Sequence, residues 1–128
     1  MVIIMIRLIQ RRLIIPQGDT GTFTIPTQGT VGANDIAILS IYDTLTHQTV
    51  LEKKINATSE TLTFNFLSED TLNIEPDDRG YRYTWDITIL RNPEYDANEE
   101  LIHADDIDSY YAAFGLPSCV IKRVTRNV

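Results

Sequence analysis

The chain has 128 residues, of which 43% are hydrophobic and 23% charged, and its formal net charge is -7. This composition excludes a disordered or fibrous chain, and a chain of this length can bury a core of its own. A lone cysteine, Cys119, excludes a disulfide framework and a cysteine-rich zinc site. The sequence therefore predicts a single domain over residues 1–128.

The first half of the chain predicts strands joined by turns. β-Branched residues dominate the opening segment and favour a strand that ends at Pro16. After a turn at residues 17–19, hydroxyl and apolar side chains alternate over residues 20–25, which is typical of a second strand. Residues 35–42 are apolar on both faces and indicate a central strand, and residues 49–55 form its hairpin partner. The charges in this partner place it near a sheet edge.

The second half begins with two clearly alternating segments. Residues 61–66 place apolar and polar side chains on opposite faces, as expected for a strand with one buried face. Residues 81–90 do the same and predict five large core side chains, namely Tyr81, Tyr83, Trp85, Ile87 and Ile89. Residues 92–104 are polar and irregular.

The spacing of apolar residues changes once, after residue 104. Ile107, Tyr110, Tyr111 and Phe114 recur at the spacing of a helical face, and Gly115 and Pro117 follow as stop signals. These features predict one short helix near residues 106–114, before a last strand over residues 118–126. The sequence therefore predicts an all-β fold, an immunoglobulin-like antiparallel β-sandwich of seven or eight strands with this one helix.

The negative charge is concentrated in one segment. Residues 69–108 contain thirteen acidic side chains and only three basic ones, Arg79, Arg82 and Arg91. Such a segment repels nucleic acid and an anionic membrane, so we expect neither as a partner. Two interpretations stay open: a solvated region that keeps the domain soluble, or a face that binds calcium or a partner protein.

The apolar N-terminus lacks the order of an export signal. Arg7, Arg11 and Arg12 interrupt and follow the apolar residues, whereas a signal peptide has its positive charges first. The longest uninterrupted apolar run covers residues 1–6 and is too short to span a bilayer. We therefore expect no signal peptide and a protein that is made in the cytoplasm.

One short motif raises the possibility of catalysis. Asp19, Thr20 and Gly21 match the local pattern of a retroviral-type aspartic protease, in which two such loops meet across a dimer. Gln17 and Gly18 stand where that family has apolar strand residues, so a turn is the better interpretation. The sequence therefore predicts no catalytic residues and no enzyme activity.

Metal and cofactor motifs are equally weak. The aspartates at positions 105, 106 and 108 lack the spacing of a calcium loop, and His47 and His103 lack the spacing of a zinc pair. Cys119 lies in a predicted strand, where a buried and inert thiol is expected. We therefore predict no metal site, no cofactor and no small-molecule substrate.

Several segments stand in a distinctive order along the chain. They are Gly18-Asp19-Thr20 with Phe23-Thr24-Ile25, residues 35–43, residues 66–74, residues 81–87 and the closing residues 120–126. This order resembles small phage and prophage tail proteins of Gram-positive bacteria, and it is similar to the N-terminal β-sandwich module of baseplate upper proteins. The resemblance implies a non-enzymatic structural module of a virion tail or baseplate that docks to other tail or baseplate subunits.

The N-terminal segment suggests how such docking could occur. Ile3, Ile4, Ile6, Leu8 and Ile9 make residues 2–9 more hydrophobic than a small domain needs on both faces, so we expect strand addition to a neighbouring chain and a homo-oligomer. The alternative function is a carbohydrate-binding β-sandwich. That alternative requires exposed aromatic residues gathered beside polar groups, for which the candidates are Tyr42, Tyr95, Tyr110 and Tyr111.

Overall fold

The computed structural model describes residues 6–9, 12–26, 32–57, 61–110 and 118–123. These residues form eleven strands and one helix. In chain order the elements are β1 (Arg7–Ile9), β2 (Arg12–Pro16), β3 (Gly21–Pro26), β4 (Ile36–Asp43), β5 (Gln48–Asn56), β6 (Thr61–Phe66), α1 (Ser68–Leu72), β7 (Tyr83–Arg91), β8 (Glu94–Tyr95), β9 (Leu101–His103), β10 (Asp106–Tyr110) and β11 (Ser118–Lys122).

Two sheets enclose the core. The larger sheet has seven strands in the order β1-β2-β11-β7-β4-β5, with β10 also beside β7, and the smaller sheet pairs β3 with β6. Buried side chains from both sheets form one apolar cluster, which includes Leu13, Leu39, Phe64, Ile87 and Ile121. The predicted all-β sandwich is therefore confirmed.

Alternation along β7 explains why the large sheet buries one face. Tyr83 and Trp85 are almost completely buried. The residues that follow each of them, Thr84 and Asp86, are only partly buried. The Trp85 ring meets the Phe23 ring of the smaller sheet edge to face, with the ring centroids 5.8 Å apart and the planes at 83°. This geometry favours aromatic pairs, and it joins the two sheets at the centre of the core.

The predicted helix near residues 106–114 is wrong for residues 106–110, which form β10, while residues 111–117 lie outside the described residues. β10 runs antiparallel to β7, with Asp106 opposite Arg91 and Tyr110 opposite Ile87. On this side of β7, β11 pairs only with its first two residues. β10 therefore supplies partners for backbone groups in the second half of β7, and this requirement outweighs the helical spacing of a few side chains.

The large sheet is not purely antiparallel, although the sequence predicted that it would be. β2 and β11 run parallel, with Cys119 opposite Leu13 and Ile121 opposite Ile15. Antiparallel neighbours are favoured where a tight turn joins consecutive strands. The long intervening chain leaves the relative direction of β2 and β11 to packing.

The described residues hold more strands than the seven or eight predicted. The opening strand is divided into β1 and β2, the segment predicted as irregular contains β8 and β9, and β10 replaces helix. Helix α1 was not predicted, because five residues are too few to show a helical period. Its start is fixed by the carboxylate of Asp70, which accepts a hydrogen bond from the Leu67 N–H at 2.7 Å.

The strand predicted from residue 81 begins two residues later. Tyr81, predicted as a core residue, is 83% exposed. The carboxylate of Asp77 accepts hydrogen bonds from the N–H groups of Tyr81 at 3.0 Å and Arg82 at 2.7 Å. These bonds hold the residues in a loop, which overrides the alternation of the sequence.

Candidate docking surfaces

Two buried aspartates secure opposite ends of the central strands β4 and β7. Asp35 immediately precedes β4 and Asp43 is its last residue. Because β4 and β7 run antiparallel, Asp35 meets Arg91 at the end of β7 and Asp43 meets Arg82 just before its start. These ion pairs fix both ends of β4 relative to β7.

Asp43 is the more extensively bonded aspartate. Its two oxygens accept hydrogen bonds from Nε and Nη2 of Arg82, each at 3.0 Å, and others from the Leu45 N–H and the Thr46 hydroxyl. The Arg82 hydrogen bond is the main reason why the pKa of Asp43 falls to about 2, although burial acts in the opposite direction. Arg82 also pairs with Glu75 at 2.9 Å, so these carboxylates serve the fold.

Asp35 fixes the other end. Burial by itself would raise its pKa, but hydrogen bonds from the N–H groups of Gly32 and Asn92 and from Arg91 outweigh that effect and lower the pKa. The carboxylate thus joins the start of β4 to the end of β7. From this end of β7 the chain continues into the β8–β9 hairpin.

Two of the segments behind the tail-protein resemblance contact each other. The N–H of Gly18 donates a hydrogen bond to the buried hydroxyl of Thr71 at 2.8 Å. Gly18 has a φ of 74°, and the Asp19 N–H donates to the Pro16 carbonyl, which is the arrangement of a type II turn. Asp19 thus lies in a turn between β2 and β3, and these motif residues serve the fold.

The edge strand β1 is the first candidate docking surface. It ends the large sheet, and its outer side pairs with no strand in the part of the chain that the structure describes. Ile9 is 48% exposed there and Arg7 is exposed beside it, whereas the guanidinium of Arg12 on β2 lies near Gly80. We call Arg7 and Ile9 the β1 edge. It offers backbone hydrogen-bonding groups, apolar surface and positive charge to a partner.

The opposite edge strand, β5, carries charges that discourage such pairing. The prediction of an edge position for residues 49–55 is confirmed, because β5 ends the sheet beyond β4. Lys53 lies opposite the inward-facing Leu39, pairs with Asp70 and lies 5.8 Å from the centre of the Phe66 ring. An inward-pointing lysine on an edge strand disfavours pairing with another chain.

The second candidate surface is the hairpin of β8 and β9, which we call the arm (residues 94–103). All five residues of its two strands are exposed, including Tyr95 and the successive apolar residues Leu101 and Ile102. The carboxylate of Asp96 accepts hydrogen bonds from the N–H groups of Asn98 and Glu100 and holds the turn. The arm is therefore an ordered, exposed hairpin with apolar residues on both faces.

A groove of about 600 Å³ separates the arm from the start of β4 and the end of β5. Tyr95 and Glu99 of the arm line it opposite Ile36, Lys54 and Asn56. The arm therefore lies on the β5 side of the large sheet, away from β1.

The aromatic residues considered for carbohydrate binding are spread over the molecule. Tyr42 lies at the end of β4, whereas Tyr95 lies near Ile36 at its start, about 20 Å away at the rise of a strand. The side chain of Tyr110 and all of Tyr111 lie outside the described residues. Tyr83 and Trp85 are buried, as predicted.

The remaining residues considered for chemistry occupy ordinary positions. Cys119 is buried, which confirms the prediction, and burial raises the pKa of its thiol. His47 lies in an exposed turn, and His103 is exposed on β9. Within the described ranges, no three His, Cys, Asp or Glu side chains are grouped to hold a metal ion, and no helix is long and apolar enough to cross a bilayer.

The two aspartate–arginine pairs and the arm were not predicted from the sequence. The pairs had a signal, since Asp35, Asp43, Arg82 and Arg91 all flank apolar strands, and opposite charges meet when those strands pair antiparallel. The signal for the arm was weaker, namely the two successive apolar residues Leu101 and Ile102 within an acidic segment.

The two candidate surfaces differ in chemistry. The β1 edge combines open backbone groups with arginine, and the arm combines apolar side chains with carboxylates. Both kinds of surface bind other proteins by strand addition, apolar burial and charge pairing. The chain matches no family model, no curated protein and no solved structure.

Proposed function

We propose that this protein is a non-enzymatic assembly module of a phage or prophage tail or baseplate, and that it docks to neighbouring subunits and to copies of itself. One observation carries the docking part: the open edge of β1 at the end of the large sheet, with Ile9 exposed on it. The assignment to a tail or baseplate is supported by the order of the sequence segments, which resembles that of tail proteins. The virion is accordingly the expected location.

An open sheet edge favours addition of a strand from another chain. Among the described residues no strand pairs with the outer side of β1, so its peptide groups can bond to a partner strand. Covering Ile9 adds roughly 25 cal/mol for each Å² of apolar surface removed from water. Because β1 is short, a stable contact needs further surface around this edge.

Light scattering coupled to size-exclusion chromatography tests the self-assembly. We expect the full chain to form a discrete oligomer, and Ile9→Lys to dissociate it by placing a charge on the β1 edge. Leu72→Lys is the matched control, because Leu72 is 52% exposed but lies on α1. Equal effects of both variants would contradict docking at β1, and a wild-type chain that stays monomeric at every concentration would contradict self-assembly.

Purified particles test the location. An antibody against the chain is expected to label the tails of particles released after prophage induction, as seen by electron microscopy. Particles from a strain in which the coding sequence is deleted serve as the control. If the chain is abundant in the lysate but missing from intact particles, the tail assignment is wrong.

Carbohydrate binding is the second candidate, favoured by the groove beside the arm. There the Tyr95 ring lies near Lys54, Asn56 and Glu99, and a sugar ring can stack on an aromatic face while its hydroxyl groups bond to polar side chains. Titration calorimetry with a panel of soluble oligosaccharides tests it. Binding that Tyr95→Ala abolishes and Ile9→Lys leaves unchanged would support this function over docking alone.

A further inference from the structure

We infer that the acidic arm of one copy docks on the basic β1 edge of the next copy, so that the contact between copies is head-to-tail. The inference rests on the proposed assembly function and names the surface that the open edge binds. It follows from the apolar exposure, the charge and the position of the two surfaces.

The arm exposes two large apolar side chains, although it is only a two-stranded hairpin. Leu101 is 43% and Ile102 66% exposed, and neighbouring residues of a strand point to opposite faces. A two-stranded hairpin is at best marginally stable in water unless another surface covers it. The arm therefore gains stability from a partner that contacts its apolar side chains.

The charges of the arm and of the β1 edge are complementary. Residues 92–104 contain Glu94, Asp96, Glu99 and Glu100 and no lysine or arginine. The β1 edge carries Arg7, and the nearby end of β11 adds Lys122 and Arg123. The Asp78 carboxylate lies close to these basic residues, because it accepts a hydrogen bond from the backbone N–H of Arg123. Its negative charge offsets part of their positive charge.

The two surfaces lie at opposite corners of the sheet. β2 and β11 separate β1 from β7, so β1 is three strand spacings, about 14 Å, from β7. The strand register places β1 level with the start of β7. The arm follows the end of β7, which lies roughly 25 Å further along the strand direction. The arm also leans toward β5. One chain therefore cannot join its own two surfaces.

A contact between different surfaces of identical chains is heterologous. Repetition of such a contact closes a ring when the rotation between copies permits, and otherwise builds an open filament. The partner of the β1 edge is accordingly a second copy of this chain, and each copy contributes one arm and one edge.

Charge reversal tests the contact on the full-length chain. The arm variant is Glu94→Lys with Glu100→Lys, which leaves Asp96 to hold the turn and Glu99 in the groove. The edge variant is Arg7→Glu. The matched control, Glu52→Lys with Glu69→Lys, makes the same change in net charge as the arm variant at positions on β5 and α1. Circular dichroism and the melting temperature of each variant verify that it is folded.

We expect either variant alone to need about ten times the wild-type concentration or more for half-assembly, because each variant loses opposite-charge pairs and places like charges against each other. An equimolar mixture should assemble again. In mixed contacts the lysines on the arm of the first variant meet the carboxylate introduced on the edge of the second, and the unchanged acidic arm of the second meets the unchanged Arg7 of the first. The control should assemble as the wild type does.

Three outcomes would overturn the contact. If both variants assemble normally while Ile9→Lys does not, the β1 edge binds some other surface, and the assembly function stands without this partner. If the mixture associates no more strongly than each variant alone, although each variant is folded, the charges do not face each other. A wild-type chain that never self-associates also overturns it, whereas labelling of particles decides the tail function separately.

Discussion

The carboxylate of Asp43 accepts four hydrogen bonds, two from Arg82 and one each from the Leu45 N–H and the Thr46 hydroxyl. They join the turn after β4 to the start of β7 at a position that is almost fully buried. Asp43→Asn removes the charge and cannot accept the bidentate pair. We expect the free energy of unfolding at pH 7 to fall by about 2–3 kcal/mol, measured by urea denaturation.

The same residue predicts a pH dependence. The pKa of Asp43 is lowered by folding from its ordinary 3.8 to about 2, so the carboxylate stabilises the fold above about pH 4. This contribution is lost as the pH falls from about 4 toward 2. The difference in unfolding free energy between the wild type and Asp43→Asn should therefore narrow over that interval.

Asp86 provides a control of opposite sign. Burial raises its pKa, so its charged form is disfavoured in the folded chain. Asp86→Asn should therefore not destabilise the protein at pH 7, and any gain should vanish as the pH falls. A loss at pH 7 equal to that of Asp43→Asn would contradict the expected sign for Asp86.

Gly18 carries a conformational requirement that a side chain meets poorly. Its φ of 74° is in the left-handed region, so Gly18→Ala should lower the unfolding free energy by about 1 kcal/mol. Gly21→Ala is the control, because a methyl group there would lie 3.5 Å from Ile6 Cδ1 in ordinary contact. Thermal melts of the two variants should separate them, and equal melting temperatures would contradict the role of φ.

At the scale of elements, alternation of apolar residues predicted the strands that bury one face. Residues 61–66 form β6 as predicted, and β7 buries Trp85, Ile87 and Ile89. The failures occurred where a backbone partner or a side-chain cap decided the conformation, as in β10 beside β7 and at Tyr81 beside Asp77. Local spacing contains no information about such distant partners.

Proline substitution can verify that residues 106–110 form a strand. Along a strand, consecutive N–H groups point to opposite sides, so only one of Asp108 and Ser109 donates its N–H toward β7. Asp108→Pro and Ser109→Pro should therefore differ in unfolding free energy by about 1–3 kcal/mol, as measured in urea. Equal losses would contradict the strand, because a helix has no such two-sided alternation.

At the scale of the whole molecule, the two sheets depend on contacts such as that between Trp85 and Phe23. Trp85→Ala should cost about 3–5 kcal/mol, a large part of the stability of a domain this size. Tyr81→Ala is the control, because the sequence predicted both rings as core but the structure exposes Tyr81. Circular dichroism melts should show a large loss for the first and little change for the second, and comparable losses would place Tyr81 in the core.

The distribution of charge over the whole molecule was visible in part from the sequence. Counting located the acidic residues between positions 69 and 108, and the arginines near the N-terminus were equally plain. In the folded chain these acidic residues lie in different places and have different partners. Asp70 and Glu75 pair with Lys53 and Arg82, whereas the acidic residues of the arm project from a corner far from β1.

By itself, the sequence determined the all-β class, the buried faces of the central strands and the burial of Cys119, because local alternation and apolar content suffice for these. Tertiary structure alone decided that residues 106–110 extend, that β2 and β11 run parallel and that Asp35 and Asp43 meet arginines. Each of these depends on which backbone and side chains become neighbours after folding. The edge position of β1 among the described strands belongs to the same group, since it depends on the order of the strands in the folded sheet.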